Sequence, residues 1–234
     1  MGILSIRGEH LSTFIILPVK KLDTAKSRLS PLLSLTERKQ FCLEMLKDVL
    51  TTIKTAKYIQ QTVVTSKDNA ALQVAKDSNA LSFRESKLGL NQAVLEVINW
   101  CIMKGALSTL ILPADIPSVT PLDLNDIFIQ EKNPGIVISP SKSGEGTNAL
   151  LLAPPNVIPT FYGPHSFRRH IKEALTMGIN IRILRSPRVA LDIDTVQDVL
   201  TFLTLKAKKT RSYNFLMKKR VHERLVSMRK NFKA

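Results

Sequence analysis

Thr13-Phe14-Ile15-Ile16-Leu17-Pro18-Val19 is a β-rich apolar run of strand length, and it opens directly onto a basic loop, Lys20-Lys21-Leu22-Asp23-Thr24-Ala25-Lys26-Ser27-Arg28-Leu29. Helical period follows. Phe41, Met45, Val49 and Ile53 recur every four residues behind Thr36-Glu37-Arg38-Lys39, which reads as a capped helix start. The alternation continues outward, with strands expected at residues 61–65, 108–112, 135–139, 149–152, 181–184 and 189–193. Helices are expected at 69–76, 90–103, 166–177 and 195–205. Short apolar runs alternating with helical segments predict an α/β fold, a mostly parallel sheet covered by helices on both faces.

The chain has 234 residues, 44% apolar and 23% charged, which fits one medium domain or a domain with an appendage and excludes a disordered or fibrous chain. Lys and Arg number 34 against 19 Asp and Glu, a net +15 that favours anionic partners. From residue 206 onward there are eleven Lys and Arg against one acid, Glu223, so the last 29 residues carry +10 and the rest +5. The division expected is therefore residues 1–205 as the catalytic domain and 206–234 as a basic amphipathic helical extension. Cys42 and Cys101 have no metal-ligand spacing and read as buried thiols in a reducing compartment. No apolar run reaches the length of a membrane span, and the opening MGILSIRGEH lacks a signal-peptide layout, so the expected location is cytoplasmic.

Ligands of open α/β sheets collect beyond the carboxyl ends of the strands, which directs attention to the loops. The first loop has no glycine, and neither G-x-G-x-x-G nor the P-loop pattern occurs. Lys20, Lys26 and Arg28 are then the groups that could surround a triphosphate, unless the loop is merely a solvated basic one. Asp115 follows a buried strand, between Pro113 and Pro117. In Leu191-Asp192-Ile193-Asp194 the carboxylates stand two residues apart, on one face at about 6–7 Å if the segment is extended. With Asp115 they could hold a hard divalent ion, and Mg²⁺ is the one that accompanies phosphates. Asp194 as a simple cap for the following helix is the rival reading.

Gly144-Glu145-Gly146-Thr147-Asn148 is a flexible turn able to bring backbone N–H groups to an anion, or an ordinary hairpin. Tyr162-Gly163-Pro164-His165-Ser166-Phe167 opens a helix, whose N-terminus suits an anion. Arg168, Arg169 and His170 oppose the dipole there, which an acidic substrate or a solvated face would explain. His165 and His170 have no nucleophile or acid beside them in sequence and read as structural.

The motifs Ile16-Leu17-Pro18-Val19-Lys20, Ala25-Lys26-Ser27-Arg28-Leu29, Gly89-Leu90-Asn91-Gln92-Ala93, Leu112-Pro113-Ala114-Asp115-Ile116-Pro117, Gly146-Thr147-Asn148-Ala149-Leu150, Gly163-Pro164-His165-Ser166-Phe167 and Leu191-Asp192-Ile193-Asp194-Thr195 occur in that order. As an ordered set, from Phe14 to about Leu203, they resemble the 2-phospho-L-lactate guanylyltransferases, with the related phosphoenolpyruvate guanylyltransferases, of the coenzyme F-420 pathway. The resemblance implies the nucleotidyltransferase fold, a single α/β domain with a mixed central sheet. It implies that GMP passes from GTP to the phosphate of a three-carbon phospho-acid, with pyrophosphate released. Pro18, Lys20, Lys26, Arg28, Gly89 and Asn91 would line the GTP site, and Asp115, Asp192 and Asp194 would hold Mg²⁺. Thr147, Gly163 and Ser166 would grip the small acid, with Asp115, Lys26 and Lys20 carrying the chemistry. The acceptor is left open among 2-phospho-L-lactate, phosphoenolpyruvate and 3-phosphoglycerate, which differ too little for sequence to separate.

In the tail, Met217, Val221, Leu225, Met228 and Phe232 form a helical stripe on a basic background. It fits a helix packed on its own body or on a second copy as a homodimer, or a contact with a pathway enzyme, RNA or anionic lipid. Two other functions are weighed: a transferase acting on another phosphorylated acceptor, and a nucleic-acid-binding protein on a degenerate transferase scaffold, whose binding would weaken steeply with salt.

Overall fold

A computed structural model describes residues 12–87, 89–130, 133–205 and 210–231. Its centre is a seven-stranded sheet: β1 (Thr13–Val19), β2 (Gln61–Ser66), β3 (Leu81–Arg84), β4 (Ser108–Ile111), β5 (Gly135–Pro140), β6 (Thr147–Ala153) and β7 (Asn180–Ile183), in the spatial order β3-β2-β1-β4-β6-β5-β7. Only β6 runs antiparallel to its neighbours, β4 and β5, and the other pairings are parallel. The sheet is thus mixed and mostly parallel, as expected.

The helices are α1 (Leu35–Thr55), α2 (Asn69–Asp77), α3 (Leu90–Met103), α4 (Pro121–Ile129), α5 (Ser166–Thr176), α6 (Val196–Thr204), α7 (Arg211–Lys218) and α8 (Val221–Asn231). Side chains alternate across β1, and the two faces bury different partners. Ile15, Leu17 and Val19 pack with α1, α2 and α4, while Phe14 and Ile16 pack with α3 and α5. A third cluster gathers Leu29, Leu32 and Leu33 beyond the basic loop with Phe41 and Met45 of α1, Val199 and Phe202 of α6, and Phe215, Leu216, Val221 and Leu225 of the last two helices.

Several expectations are corrected. The cap of α1 is Ser34, whose side chain accepts from the Glu37 amide while Glu37 returns the bond, a capping box two residues earlier than predicted. Residues 189–193 form no strand: the Ile193 amide donates to the Asp115 carbonyl instead, at 3.0 Å. The tail is two helices rather than one, because the chain turns at Lys219-Arg220, where Arg220 has φ +53°. Met217 and Val221 therefore lie on different helices; Phe232 and residues 206–209 lie outside the described residues.

The tail packs on its own body. Asp48 of α1 accepts from the amides of Arg211 and Ser212 and from the Ser212 hydroxyl, at 2.7, 2.9 and 2.5 Å, anchoring the start of α7. Arg224 of α8 forks onto Glu37, with donor distances of 2.8 and 3.0 Å, and also donates to the Leu32 carbonyl. No helix among the described residues is long and apolar enough to cross a membrane.

Candidate active site

The carboxyl ends of β1, β2, β3 and β4 and the start of β6 face a common cleft of about 760 Å³. Pro18, Lys20, Lys26, Arg28, Gly89, Asp115, Thr147, Asp192 and Asp194 all line it. Strand geometry explains the convergence. Parallel strands bring Lys20, Lys67, Glu85 and Asp115 to one end of the sheet, and antiparallel β6 starts where its neighbour β4 finishes.

At the centre of the cleft, Lys26 Nζ lies 2.5 Å from Asp115 and 2.6 Å from Asp194. The Lys26 side chain is only 7% exposed. Lys26 holds φ +54°, a left-handed conformation uncommon for a lysine. Burial opposes the ammonium charge, but the two carboxylates outweigh it and raise its pKa. Burial likewise works against the Asp194 carboxylate, and Lys26 overcomes it, holding the acid below the ordinary range. Burial pushes Asp192 the other way; its carboxylate accepts from Asn148 Nδ2 at 3.0 Å, and the nearby Asp115 charge adds to the upward shift.

The loop that carries Asp192 and Asp194 is held from several sides. Asp123 of α4 is buried and accepts from Arg188 Nε at 2.6 Å, Arg188 Nη2 at 2.8 Å and Ser186 Oγ at 2.6 Å. Val189, Leu191 and Ile193 are buried in the core. Thr195, not Asp194, caps α6, closing a box with Asp198, so Asp194 is left to face the cleft.

Whether these residues suit a metal ion turns on their donors. Among the described residues no group of three His, Cys, Asp or Glu side chains forms a cage for an ion, so the expected three-aspartate cage is not present as such. Asp115 nevertheless keeps Oδ1 buried without a hydrogen-bond partner, while its Oδ2 shares the Lys26 ammonium with Asp194. Mg²⁺ bound through one or two carboxylates and substrate phosphates needs no more protein ligands than this. Asp115 and Asp194 fit that arrangement.

Beyond β6 the structure explains the basic start of α5 without a substrate. Arg168 approaches Glu145 at 3.7 Å, Arg169 stacks over the Phe161 ring at 5.0 Å, and the exposed His165 pairs with Glu145. His170 is fully buried. The Phe161 amide donates to its Nε2 at 2.8 Å, which leaves the ring proton on Nδ1, 3.1 Å from Thr147 Oγ1. Thr147 is then the acceptor in that bond, and its own hydroxyl hydrogen is available to a ligand. Gly163 and Ser166 do not line the cleft; Ser166 is buried, its amide bonded to the Gly163 carbonyl at 3.2 Å. Asn91 also stands outside the lining, exchanging two hydrogen bonds with the backbone of Tyr162 at 2.9 and 2.6 Å. It ties the start of α3 to the loop before α5.

Burial lowers the His170 pKa to about 4, below its ordinary value near 6.5. The unfolded chain therefore binds the proton first as pH falls, and the stability that His170 contributes is whole above pH 6.5 and lost on the way down to pH 4. That window corresponds to about 2–3 kcal/mol. The stability of His170→Asn, measured by urea unfolding at pH 7 and pH 4.5, is expected to fall less with acidification than that of the parent protein.

The cleft also contains Lys67, Glu85, Lys87, Asn148 and Tyr162, which sequence reasoning did not single out. Lys67 and Glu85 each directly follow a strand, the same signal that marked Asp115, but β3 was not recognised. Cys42 also lines the cleft, half-buried, with burial raising its thiol to about 11, so it is no nucleophile at neutral pH.

Residues 13–230 match the family described as guanylyl transferase CofC like, a match that runs beyond residue 205 through α7 and into α8. A phosphoenolpyruvate guanylyltransferase of Rubrobacter xylanophilus is 37% identical over 190 residues, 81% of this chain and 92% of that protein. A 2-phospho-L-lactate guanylyltransferase of Methanocaldococcus vulcanius is 36% identical over 203 residues, 86% of this chain and 89% of that protein. The solved structure of a nucleotidyl transferase from Methanothermobacter thermautotroptrophicus shares the fold, with a TM-score of 0.61 at 12% identity, covering 83% of this chain and 96% of that one. With its sheet order, its cleft and these matches together, the chain belongs to the CofC-like guanylyl transferase family.

Proposed function

We propose that this protein transfers GMP from GTP to the phosphate of a three-carbon phospho-acid, releasing pyrophosphate, as a step of coenzyme F-420 biosynthesis. The observation that carries the reading is Lys26 held between Asp115 and Asp194 in a cleft that Lys20, Lys21, Arg28, Lys67 and Lys87 also line. The acceptor phosphate attacks the α-phosphorus of GTP, and the bond to the pyrophosphate leaving group breaks. The nucleophile needs no protein base, since a phosphomonoester has its second pKa near about 6 and is already ionised at neutral pH.

The difficulty is electrostatic: one polyanion must approach another in line. Lys20 and Arg28, both exposed at the cleft, supply positive charge and, for Arg28, bidentate donors. Lys26 supplies a buried cation that Asp115 and Asp194 orient. Asp115 and Asp194 would also hold Mg²⁺, which when bound with the triphosphate neutralises charge on the phosphoryl oxygens. The Thr147 hydroxyl, which accepts from His170 and lines the cleft on the β6 side, would donate to the acceptor.

Pyrophosphate release with Mg²⁺ and GTP, measured in turn with 2-phospho-L-lactate, phosphoenolpyruvate and 3-phosphoglycerate, tests the reading. One of the three is expected to support release, and ATP in place of GTP is not. Silence from folded protein with all three would set the acceptor assignment aside.

A further inference from the structure

We infer that Glu85 is the residue that selects guanine, its carboxylate receiving the N1–H and 2-amino group of the base; the inference rests on the proposed use of GTP. The sheet order sets the direction in which a nucleotide must lie. Asp115 follows β4, and Thr147 opens β6 on one side of it, where the acceptor is placed. In-line transfer sets the acceptor and the leaving pyrophosphate on opposite sides of the α-phosphorus and leaves the nucleoside on neither of those two sides. With the acceptor at β6 and the triphosphate on the basic loop after β1, the part of the cleft left to the nucleoside is the end at β2 and β3.

Glu85 stands at that end. It directly follows β3, its amide donates to the Ser66 carbonyl at 3.2 Å, and its side chain lines the same cleft, flanked by Lys67, Lys87 and Gly89. Apart from the aspartates around Lys26, it is the one acidic residue lining the cleft among the described residues. Thr65, fully buried, donates its hydroxyl to Glu85 Oε1 at 3.3 Å, which fixes the carboxylate from behind. Among the described residues Oε2 makes no hydrogen bond. A half-buried carboxylate held by one oxygen, in a cleft otherwise rich in cations, has no role toward phosphates, which it repels.

Guanine presents two adjacent donors, N1–H and the 2-amino group, to which a carboxylate is complementary. Adenine presents an N1 lone pair at the corresponding place, and two acceptors facing each other are rejected. Inosine keeps N1–H and loses the amino group. Xanthine keeps N1–H and replaces the amino group with a carbonyl, so an amide in place of the carboxylate suits it.

The experiment measures equilibrium binding of GTP, ITP, XTP and ATP with Mg²⁺ and no acceptor, on the parent protein and on Glu85→Gln. The parent is expected to bind GTP about tenfold or more tighter than ITP, with ATP and XTP weaker still. Glu85→Gln is expected to lose about tenfold or more for GTP and to gain about tenfold for XTP; a gain reports on a folded protein. A GTP-selective parent whose Gln variant keeps the same ranking would overturn the role of Glu85 alone. A parent that binds ATP and GTP alike would overturn the use of GTP as well.

Discussion

Asp115→Asn is expected to lower kcat by about 10³-fold or more while the protein still unfolds cooperatively near the parent midpoint. Asp115 is the hinge of the site's electrostatics. Its Oδ2 receives the buried Lys26 ammonium, its Oδ1 has no partner, and its carbonyl accepts from Ile193, which joins the β4 loop to the segment bearing Asp192 and Asp194. The amide keeps the backbone bond and an oxygen for Lys26, and Lys26 also retains Asp194. The fold therefore loses only about 1–2 kcal/mol, whereas on the proposed function the carboxylate that would hold Mg²⁺ beside the leaving pyrophosphate is gone. Activity measured per folded molecule decides the matter. A variant inactive only to the extent that it is unfolded would remove Asp115 from the chemistry.

The second large effect concerns stability. Leu216→Ala is expected to cost about 2–5 kcal/mol, the range for truncating a fully buried leucine. Leu216 and Phe215 of α7 fill a cluster with Phe41 of α1, whose ring stacks on Phe215 with centroids 5.9 Å apart, and Phe202 of α6. The same cluster holds Leu29 and Leu32, the continuation of the basic loop that includes Lys26 and Arg28. An exposed neighbour, Lys218→Ala, should remain within about 0.5 kcal/mol of the parent. Urea midpoints of the two variants separate a tail that completes the core from one that is merely attached. Equal, small effects would mean that α7 does not belong to the folded unit.

The sequence was most legible where one element's pattern sufficed. β1 is a continuous apolar run because both of its faces are covered, and α1 shows its buried stripe at helical spacing. β3 escaped because Leu-Ser-Phe-Arg is an edge strand of four residues with alternating exposure, too short for its period to stand out. α4 escaped although Thr120, Pro121 and Asp123 spell a capping box with proline at its first turn. The tail's stripe reads as one helix because spacing does not reveal the turn at Arg220.

The site followed the same division. Lysines and aspartates at strand ends could be named from position. The seating of Lys26 between Asp115 and Asp194 could not, since the partners lie 89 and 168 residues away and meet only through the sheet order and the packing of residues 189–193. Nor could the bonds of Asn91 to the Tyr162 backbone and of the Ser166 amide to the Gly163 carbonyl.

Tracing label shows whether the α-phosphoryl group of GTP moves to the acceptor. With GTP labelled at the α-phosphorus, label is expected in a new guanosine diphosphate ester of the phospho-acid, while label at the γ-phosphorus is expected only in pyrophosphate. Label from the γ-phosphorus in the acceptor, or α-label that stays in free guanine nucleotide, would contradict that transfer.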